Sequence, residues 1–389
     1  MKLKYNIPEL TERNIRFKNL RKAMANNDLY ALIIGGKGHW WTGRGYFRYL
    51  TDFHLWGHDG LIYFPIEGDP YLVLSSDAVA KKIKVRGWVK NCEGSLYLGE
   101  KILKYIDKKK IKGKIIGIVG EENIISYRDL NTIKNNLNIE TVSASEIFDK
   151  VKMVKTEWEV SEIYKLWDLA KYTLNQFQDH VLEYHKKNKT QIELSSDITK
   201  ILWGNGIRDL LIFYGDEKDN YSHPKNTKIK IKNKIRYHLE ICGPSGHWLE
   251  ITKNLAFKKV HKLEEKIMKD ELLVFDEMLQ FMKDSVTLKQ AGAFYEKKLA
   301  EFGYDMHKQN GFDFHGQGLD TIEKPFYNSV IPNDSEDWDL KKNVALSYHP
   351  KRLSLDKGIW STGINEDILV KRNGAVKFSE DWQHNWVQI

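Results

Sequence analysis

The sequence predicts an N-terminal α/β domain at residues 1–150, followed by an α+β domain at residues 151–389. The 389 residues exceed the length of a typical single domain, so two hydrophobic cores are expected. Helical and strand-like patterns alternate in the first part of the chain, whereas helices precede long strand pairs in the second. A helix start at Thr156 and Glu159 comes shortly after the boundary.

Helices and strands alternate in the predicted first domain. An amphipathic helix is predicted at residues 11–27, followed by a strand at residues 31–34 that ends in a Gly35-Gly36 turn. Further strands are predicted at residues 60–64, 70–74, 114–119 and 139–142, with helices at residues 100–107 and 127–136. This alternation predicts a mixed sheet covered by helices.

The second domain is expected to begin with a long helix. Thr156-Glu157-Trp158-Glu159 has the pattern of a capping box, in which each of the two end side chains accepts a hydrogen bond from the other residue's amide. This helix is predicted to reach about Tyr184, and further helices are predicted at residues 191–203 and 263–282. Strand signals at residues 230–257 and 343–370 predict antiparallel pairs.

The net charge of +8 raises the question of a nucleic-acid partner. Lysines cluster at residues 108–110 and 225–234, but these runs fall at predicted turns and strand ends, and acidic residues are interspersed through the rest of the chain. We therefore interpret the lysines as solvated surface residues and expect no nucleic-acid partner.

Two further features indicate a cytoplasmic protein with no membrane partner. The sequence contains no apolar run of about 18 residues, and its charged N-terminus lacks the apolar core of a signal peptide. Cys92 and Cys242 fall in different predicted domains, so both are expected to be free, buried thiols.

Side chains that can bind a metal or transfer protons are concentrated in the second half of the chain. His238 and Glu240 alternate along a predicted strand and therefore point to one face, and a turn at residues 243–246 is expected to return Glu250 close to Glu240. The other candidates are His223, His315, His349 and Glu366. Each residue taken singly also suits a structural role; the ordered set is what indicates a site.

Motifs around these residues resemble, in order, those of the creatinase, prolidase and aminopeptidase P family, whose catalytic domain has the pita-bread fold. Residues 155–159 are similar to its Lys-Ser-x-x-Glu opening, and residues 248–253 to its Tyr-x-x-Asp-x-Thr-Arg strand. The remaining matches are residues 215–224, His315-Gly316-Gln317-Gly318-Leu319, Glu323-Lys324-Pro325, Ser347-Tyr348-His349-Pro350 and residues 363–367. The resemblance covers essentially the whole chain and implies a creatinase-like N-terminal domain and a pita-bread catalytic domain.

The resemblance also implies where a metal would lie. Peptidases of the family hold two metal ions with two Asp, one His and two Glu residues. Here Leu239 falls near the first aspartate position, between His238 and Glu240, and the other positions carry Glu250, His315, His349 and Glu366. The expected ligands are therefore His238, Glu240, Glu250, His315, His349 and Glu366, a donor set that suits iron, manganese or zinc.

These departures argue against ordinary proline-peptidase activity and leave several functions open. We expect an enzyme that cleaves a C–N or similar bond in a small, polar, amino-acid-like substrate, with His223, Glu240 and His315 as catalytic residues. By resemblance, His223 stands on the substrate side and transfers protons. The alternatives are a metal-free site as in creatinase, a lyase (as in the family's dimethylsulfoniopropionate lyases) or redox enzyme with a new metal, and a non-catalytic module that binds a peptide or small ligand.

The N-terminal domain supplies candidate substrate-binding residues. In creatinase-like proteins an aromatic residue and an arginine of the neighbouring subunit hold the substrate. Trp56-Gly57-His58 resembles that pattern with histidine in place of arginine, so a homodimer is expected. Further candidates are Arg44, Arg48, Trp40 and Trp41, although the tryptophans also suit core packing.

Overall fold

The computed structural model describes residues 3, 10–39, 42–109, 111, 113–215, 222–229, 234–305, 313–328, 336–350, 353–356, 359–360 and 364–389. Its helices are α1 (Leu10–Ala25), α2 (Arg44–Thr51), α3 (Asp77–Arg86), α4 (Leu98–Lys108), α5 (Tyr127–Asn136), α6 (Ser145–Lys152), α7 (Glu157–Lys186), α8 (Gln191–Gly204), α9 (Lys262–Phe281) and α10 (Leu288–Glu301). Its strands are β1 (Leu29–Lys37), β2 (Asp59–Pro65), β3 (Tyr71–Leu74), β4 (Cys92–Gly94), β5 (Ile115–Val119), β6 (Glu140–Ser143), β7 (Asp209–Gly215), β8 (Lys234–Cys242), β9 (Trp248–Ala256), β10 (Asp313–Gly316), β11 (Glu323–Asn328), β12 (Ala345–His349), β13 (Ser354–Asp356), β14 (Ile359–Trp360), β15 (Glu366–Lys371), β16 (Gly374–Lys377) and β17 (Val387–Gln388).

The chain divides into two compact units. The first unit contains Asn6–Trp158 and Gly318–Lys324, and the second contains Met1–Tyr5, Glu159–Gln317 and Pro325–Ile389. The division after Trp158 falls in the first turn of α7, later in the chain than the predicted boundary at residue 150. Nothing in the sequence pattern indicated that a short segment from the second half packs within the first unit.

The first unit is built on a mixed sheet with the strand order β4-β3-β2-β1-β5-β6. β1 pairs antiparallel with β2 and parallel with β5, and parallel pairs require crossover connections of the kind that the alternating pattern predicts. Leu32 and Ile34 face one apolar core, whereas Ala31 and Ile33 face another. β1 is therefore buried on both faces, as is typical of a central strand in such a sheet.

Gly35 and Gly36, which were predicted to form a turn, instead continue β1. A Cβ atom on Gly35 would lie 2.7 Å from Ile125, and one on Gly36 would lie 2.6 Å from the Phe47 ring. Close packing is the reason for these glycines. α2, which carries Phe47, is absent from the predicted elements; it has only eight residues, and all of them are buried, including Arg44 and Arg48.

Buried charges hold the segment Gly318–Lys324 in the first unit. Glu323 accepts hydrogen bonds from the ammonium groups of Lys152 at 2.6 Å and Lys155 at 2.9 Å, and from the amides of Leu319 and Asp320. Burial alone would raise the pKa of Glu323, but the two lysines outweigh it and lower the pKa to about 2. The glutamate of the Glu-x-Pro motif is therefore an anchor within this unit.

The second unit contains a sheet with the strand order β11-β10-β12-β15-β9-β8-β7. The predicted antiparallel hairpin is confirmed, since β8 and β9 pair from Lys234↔Ala256 to Cys242↔Trp248. α7 and α8 share one apolar core with Leu239 and other residues of β8. Because side chains alternate along a strand, His238 and Glu240 point to the opposite face. β7 and α10 were not predicted.

Two expectations about the whole chain concern membranes and thiols. No helix in the described ranges has both the length and the apolar character needed to cross a bilayer. Cys92 and Cys242 are both buried thiols that are not joined in a disulfide, as expected. Burial raises the pKa of Cys92 to about 11, so this thiol is a poor nucleophile.

Candidate active site

One face of the second unit's sheet carries two adjacent rows of side chains. Residues directly opposite each other in antiparallel strands point to the same face. The pairing of Glu366 with Ile251 therefore places Asp367 beside Glu250 and Asn365 beside Thr252. The first row contains Glu240, Glu250, Asp367, Ser347 and His315, and the second contains Phe213, His238, Thr252, Asn365 and His349.

Glu250 lies at the centre of this face and is only 3% exposed. Its Oε1 atom is 3.1 Å from Nε2 of His315 and 2.9 Å from Nε2 of His349, and these two nitrogens are 3.2 Å apart. Its Oε2 atom is 3.5 Å from Nε2 of His238. The nitrogens of His238 also contact Oε1 of Glu240 and Oγ1 of Thr252, each at 3.0 Å. One carboxylate thus connects two histidine-containing groups.

The charges of this face shift one another's pKa. Burial alone would raise the pKa of Glu250, but His349 and His315 outweigh it and hold the pKa well below its ordinary value. Burial and the charge of Glu250 raise the pKa of Asp367 well above its ordinary value. Burial lowers the pKa of His315 and Glu250 raises it, with a net upward shift. Near neutral pH, Glu250 is therefore ionised, whereas the upward shift favours the protonated form of Asp367.

Glu366, which was predicted to be a metal ligand, lies on the opposite face of β15 because neighbouring residues of a strand alternate. Its carboxylate accepts a hydrogen bond from Nε2 of His384 at 2.7 Å and another from the Ser379 hydroxyl. Asp367 stands on the site face instead, where it accepts bonds from the amide of Glu250 and the side chain of Gln317. The register with β9 decides between the two acids, and the sequence does not show that register.

His223 lies near the site face but outside its two rows. It is exposed, and its ring is 5.1 Å from the ring of Phe213, which in turn is 5.8 Å from the ring of His238. Phe213 was not predicted as a site residue, and the strand that carries it, β7, was not predicted either. His223 therefore packs on the ring of Phe213, which in turn packs on the ring of His238.

The predicted substrate-binding residues belong to the first unit. Arg44 and Arg48 are buried in α2, and Nη1 of Arg48 is 3.0 Å from Nδ1 of His54. Trp56 is 73% exposed and His58 is half-buried on the turn before β2, so Trp56 is not a core residue. Trp40 and Trp41 lie outside the described residues. A role of these residues in substrate binding stays a prediction.

The side chains on the site face fit a divalent metal ion. His315, His349 and Glu250 form one group of potential donors, and His238, Glu240 and Glu250 form a second. Oε1 of Glu250 is buried, and the two ring nitrogens lie 2.9 and 3.1 Å from it. Ligands held ~2.1 Å from one ion stand roughly 3.0 to 3.4 Å apart, and the three donor atoms are 2.9 to 3.2 Å apart.

Known proteins share this architecture. Residues 16–154 match the family model described as the Creatinase/Prolidase N-terminal domain. A sequence search against curated proteins gives no significant match. Among solved structures, the chain is similar to an X-Pro aminopeptidase from Thermotoga maritima MSB8, with a TM-score of 0.75, 16% identity, and coverage of 96% of this chain and 99% of that chain. It is also similar to an Xaa-Pro dipeptidase from Bacillus anthracis, with a TM-score of 0.73, 16% identity, and coverage of 97% and 100%.

The fold is not confined to proteins named as peptidases. The N-terminal domain of a FACT complex subunit from Cicer arietinum has a TM-score of 0.72 and 12% identity, with coverage of 97% of this chain and 98% of that one. The fold alone therefore does not identify a peptidase. The predicted fold class, a creatinase-like α/β domain followed by a pita-bread domain, is confirmed. Residues 16–154 thus match the Creatinase/Prolidase N-terminal domain, and the chain as a whole shares the fold of these solved structures.

Proposed function

We propose that this protein is a metal-dependent hydrolase that cleaves a C–N or similar bond in a small, polar, amino-acid-like molecule. The observation that carries the proposal is the group of three donor atoms in which Oε1 of Glu250, a buried residue, lies within 3.1 Å of two imidazole nitrogens. Burying an ionised carboxylate costs free energy unless it is paired or coordinates a metal. A bound cation would remove this cost. The fold similarity to two proteins named as peptidases supports hydrolysis.

Each residue of the site has its own proposed role. Glu250, His315 and His349 would hold the ion, which when bound polarises a substrate carbonyl and lowers the pKa of water. Asp367 accepts a hydrogen bond from the Glu250 amide and keeps that strand segment in place. Glu240, which is partly exposed, would orient the substrate. His223, exposed beside Phe213, would transfer a proton to the leaving group.

Xaa-Pro peptidase activity is expected to be absent or very weak. Such hydrolysis needs two closely held metal ions that share an activated water. His349 supplies no carboxylate where the family has a glutamate, and Leu239 is buried in the core on the other face of β8. The test is hydrolysis of Xaa-Pro dipeptides and tripeptides with added manganese, zinc or iron, with chelator-treated protein as the blank. Efficient turnover with manganese would show that the altered ligands do not matter.

A second candidate is an iron-dependent lyase or redox enzyme. Glu250, His315 and His349 together form a set of two histidines and one carboxylate, the set that non-haem iron(II) oxygenases use. Stoichiometric iron without zinc or manganese, in protein purified without chelator, would favour this candidate over the hydrolase. A non-catalytic ligand-binding role would require an intact site with no turnover.

We also propose a homodimer in which the Trp56 turn of one chain borders the substrate site of its partner. Trp56 is 73% exposed on the turn before β2, so its indole is accessible to a partner chain. The family resemblance of Trp56-Gly57-His58 supports this arrangement. Light scattering that finds only monomer across the working concentrations would exclude it.

A further inference from the structure

Asn365 lies between Arg236 and His349 on the site face. Its Oδ1 accepts a hydrogen bond from Nη2 of Arg236 at 2.9 Å, and its Nδ2 is 2.8 Å from Nδ1 of His349. The two ends of a side-chain amide are similar in shape, but a guanidinium group has donors only. The oxygen of Asn365 must therefore face Arg236, and the NH₂ group must face His349.

This orientation determines the tautomer of His349. Nδ1 accepts the hydrogen bond from Asn365, so the ring hydrogen is on Nε2. Nε2 is the atom that faces Oε1 of Glu250 at 2.9 Å and Nε2 of His315 at 3.2 Å. His315 has the opposite arrangement, because its Nδ1 donates to the Gly316 carbonyl at 3.0 Å and its neutral form keeps the lone pair on Nε2. Only His315 is thus oriented as a ligand.

We propose that the Arg236–Asn365 pair restrains metal loading by holding His349 in the tautomer that cannot coordinate an ion. Coordination by His349 requires the hydrogen to move from Nε2 to Nδ1, and the Asn365 amide must then turn and give up its bond to Arg236. Groups that contact the second nitrogen of a histidine ligand usually accept its N–H and strengthen binding. Asn365 donates instead, so removing it is expected to strengthen binding. The inference rests on the proposed metal site.

The experiment measures zinc affinity of the purified full chain by competition with a chromophoric chelator. Asn365→Leu removes the donor without changing the charge, and we expect affinity to rise roughly 10- to 100-fold, the scale on which such partners act. Arg236→Met frees the amide to turn and is expected to act in the same direction. Lys234→Met is the matched control: it removes a positive charge two residues earlier in β8, and its affinity should stay close to that of the wild type.

The tautomer itself can be observed without metal. Long-range ¹H–¹⁵N correlation spectra of histidine-labelled protein, assigned with His349→Gln, are expected to show hydrogen on Nε2 of His349 in the wild type and loss of this preference in Asn365→Leu. Hydrogen on Nδ1 in the wild type would overturn the restraint. Unchanged or weaker zinc binding by Asn365→Leu, in a wild type that binds metal, overturns the restraint alone. If neither the wild type nor any variant binds zinc, iron or manganese, both the restraint and the metal-dependent function are overturned.

Discussion

Replacing His315 with alanine is expected to remove both the bound metal and the activity. His315 is 5% exposed, and the pairing of β10 with β12 places it opposite Ser347, in the same row of side chains as Glu250. Its Nδ1–H bond to the Gly316 carbonyl fixes the ring so that Nε2 lies 3.1 Å from Oε1 of Glu250. Without this nitrogen the donor group is incomplete, and turnover should fall by more than the roughly 100-fold effect of a proton-transfer residue.

The metal content of His315→Ala is measured on protein purified without chelator, and thermal unfolding shows whether the fold survives. His180→Ala is the matched control, because its side chain is 41% exposed on α7 and lies in neither donor group. Activity is compared on a substrate found by screening small amides and related C–N compounds. A folded His315→Ala variant that keeps stoichiometric metal would contradict the assignment of this histidine as a ligand.

Replacing His223 with alanine is expected to lower turnover by roughly 100-fold or more, the usual scale for a proton-transfer residue, while bound metal stays unchanged. His223 is exposed and packs on Phe213, and neither residue belongs to a donor group. Its position therefore suits proton transfer at the edge of the site and makes it dispensable for the metal.

A second variant separates proton transfer from hydrogen bonding. The glutamine side chain of His223→Gln can still donate and accept hydrogen bonds, but it cannot carry a proton between groups. This variant should therefore be as slow as the alanine variant. Recovery of activity in the glutamine variant would assign His223 to substrate orientation. Full activity of His223→Ala would remove this residue from the mechanism.

Helices and strands with a clear hydrophobic periodicity could be predicted from the sequence, and those without it could not. The helices at residues 191–203 and 263–282 and the β8–β9 hairpin follow from spacing alone. α2, which has only eight residues, all of them buried, was missed, and the glycines of β1 were misassigned because their packing partners lie far along the chain. Local patterns do not contain such long-range contacts.

Prediction of the candidate site was limited in the same way, because part of the site depends on long-range strand pairing. Alternation within one strand places His238 and Glu240 on one face, and the hairpin adds Glu250. The pairing of β9, β15 and β12 is a tertiary property, and it replaces Glu366 with Asp367 and Asn365 on the site face. The spacing of Asn365 and Asp367, two residues apart as in His238 and Glu240, was a signal in the sequence that could have identified both.

The metal content of the wild type and of two glutamate variants tests the central claim most directly. The wild type, purified without chelator, is expected to contain stoichiometric zinc, iron or manganese, and Glu250→Gln is expected to lose it because the buried acceptor charge is gone. Glu366→Gln, altered on the opposite face, should keep its metal. A folded wild type with none of these metals would contradict the account.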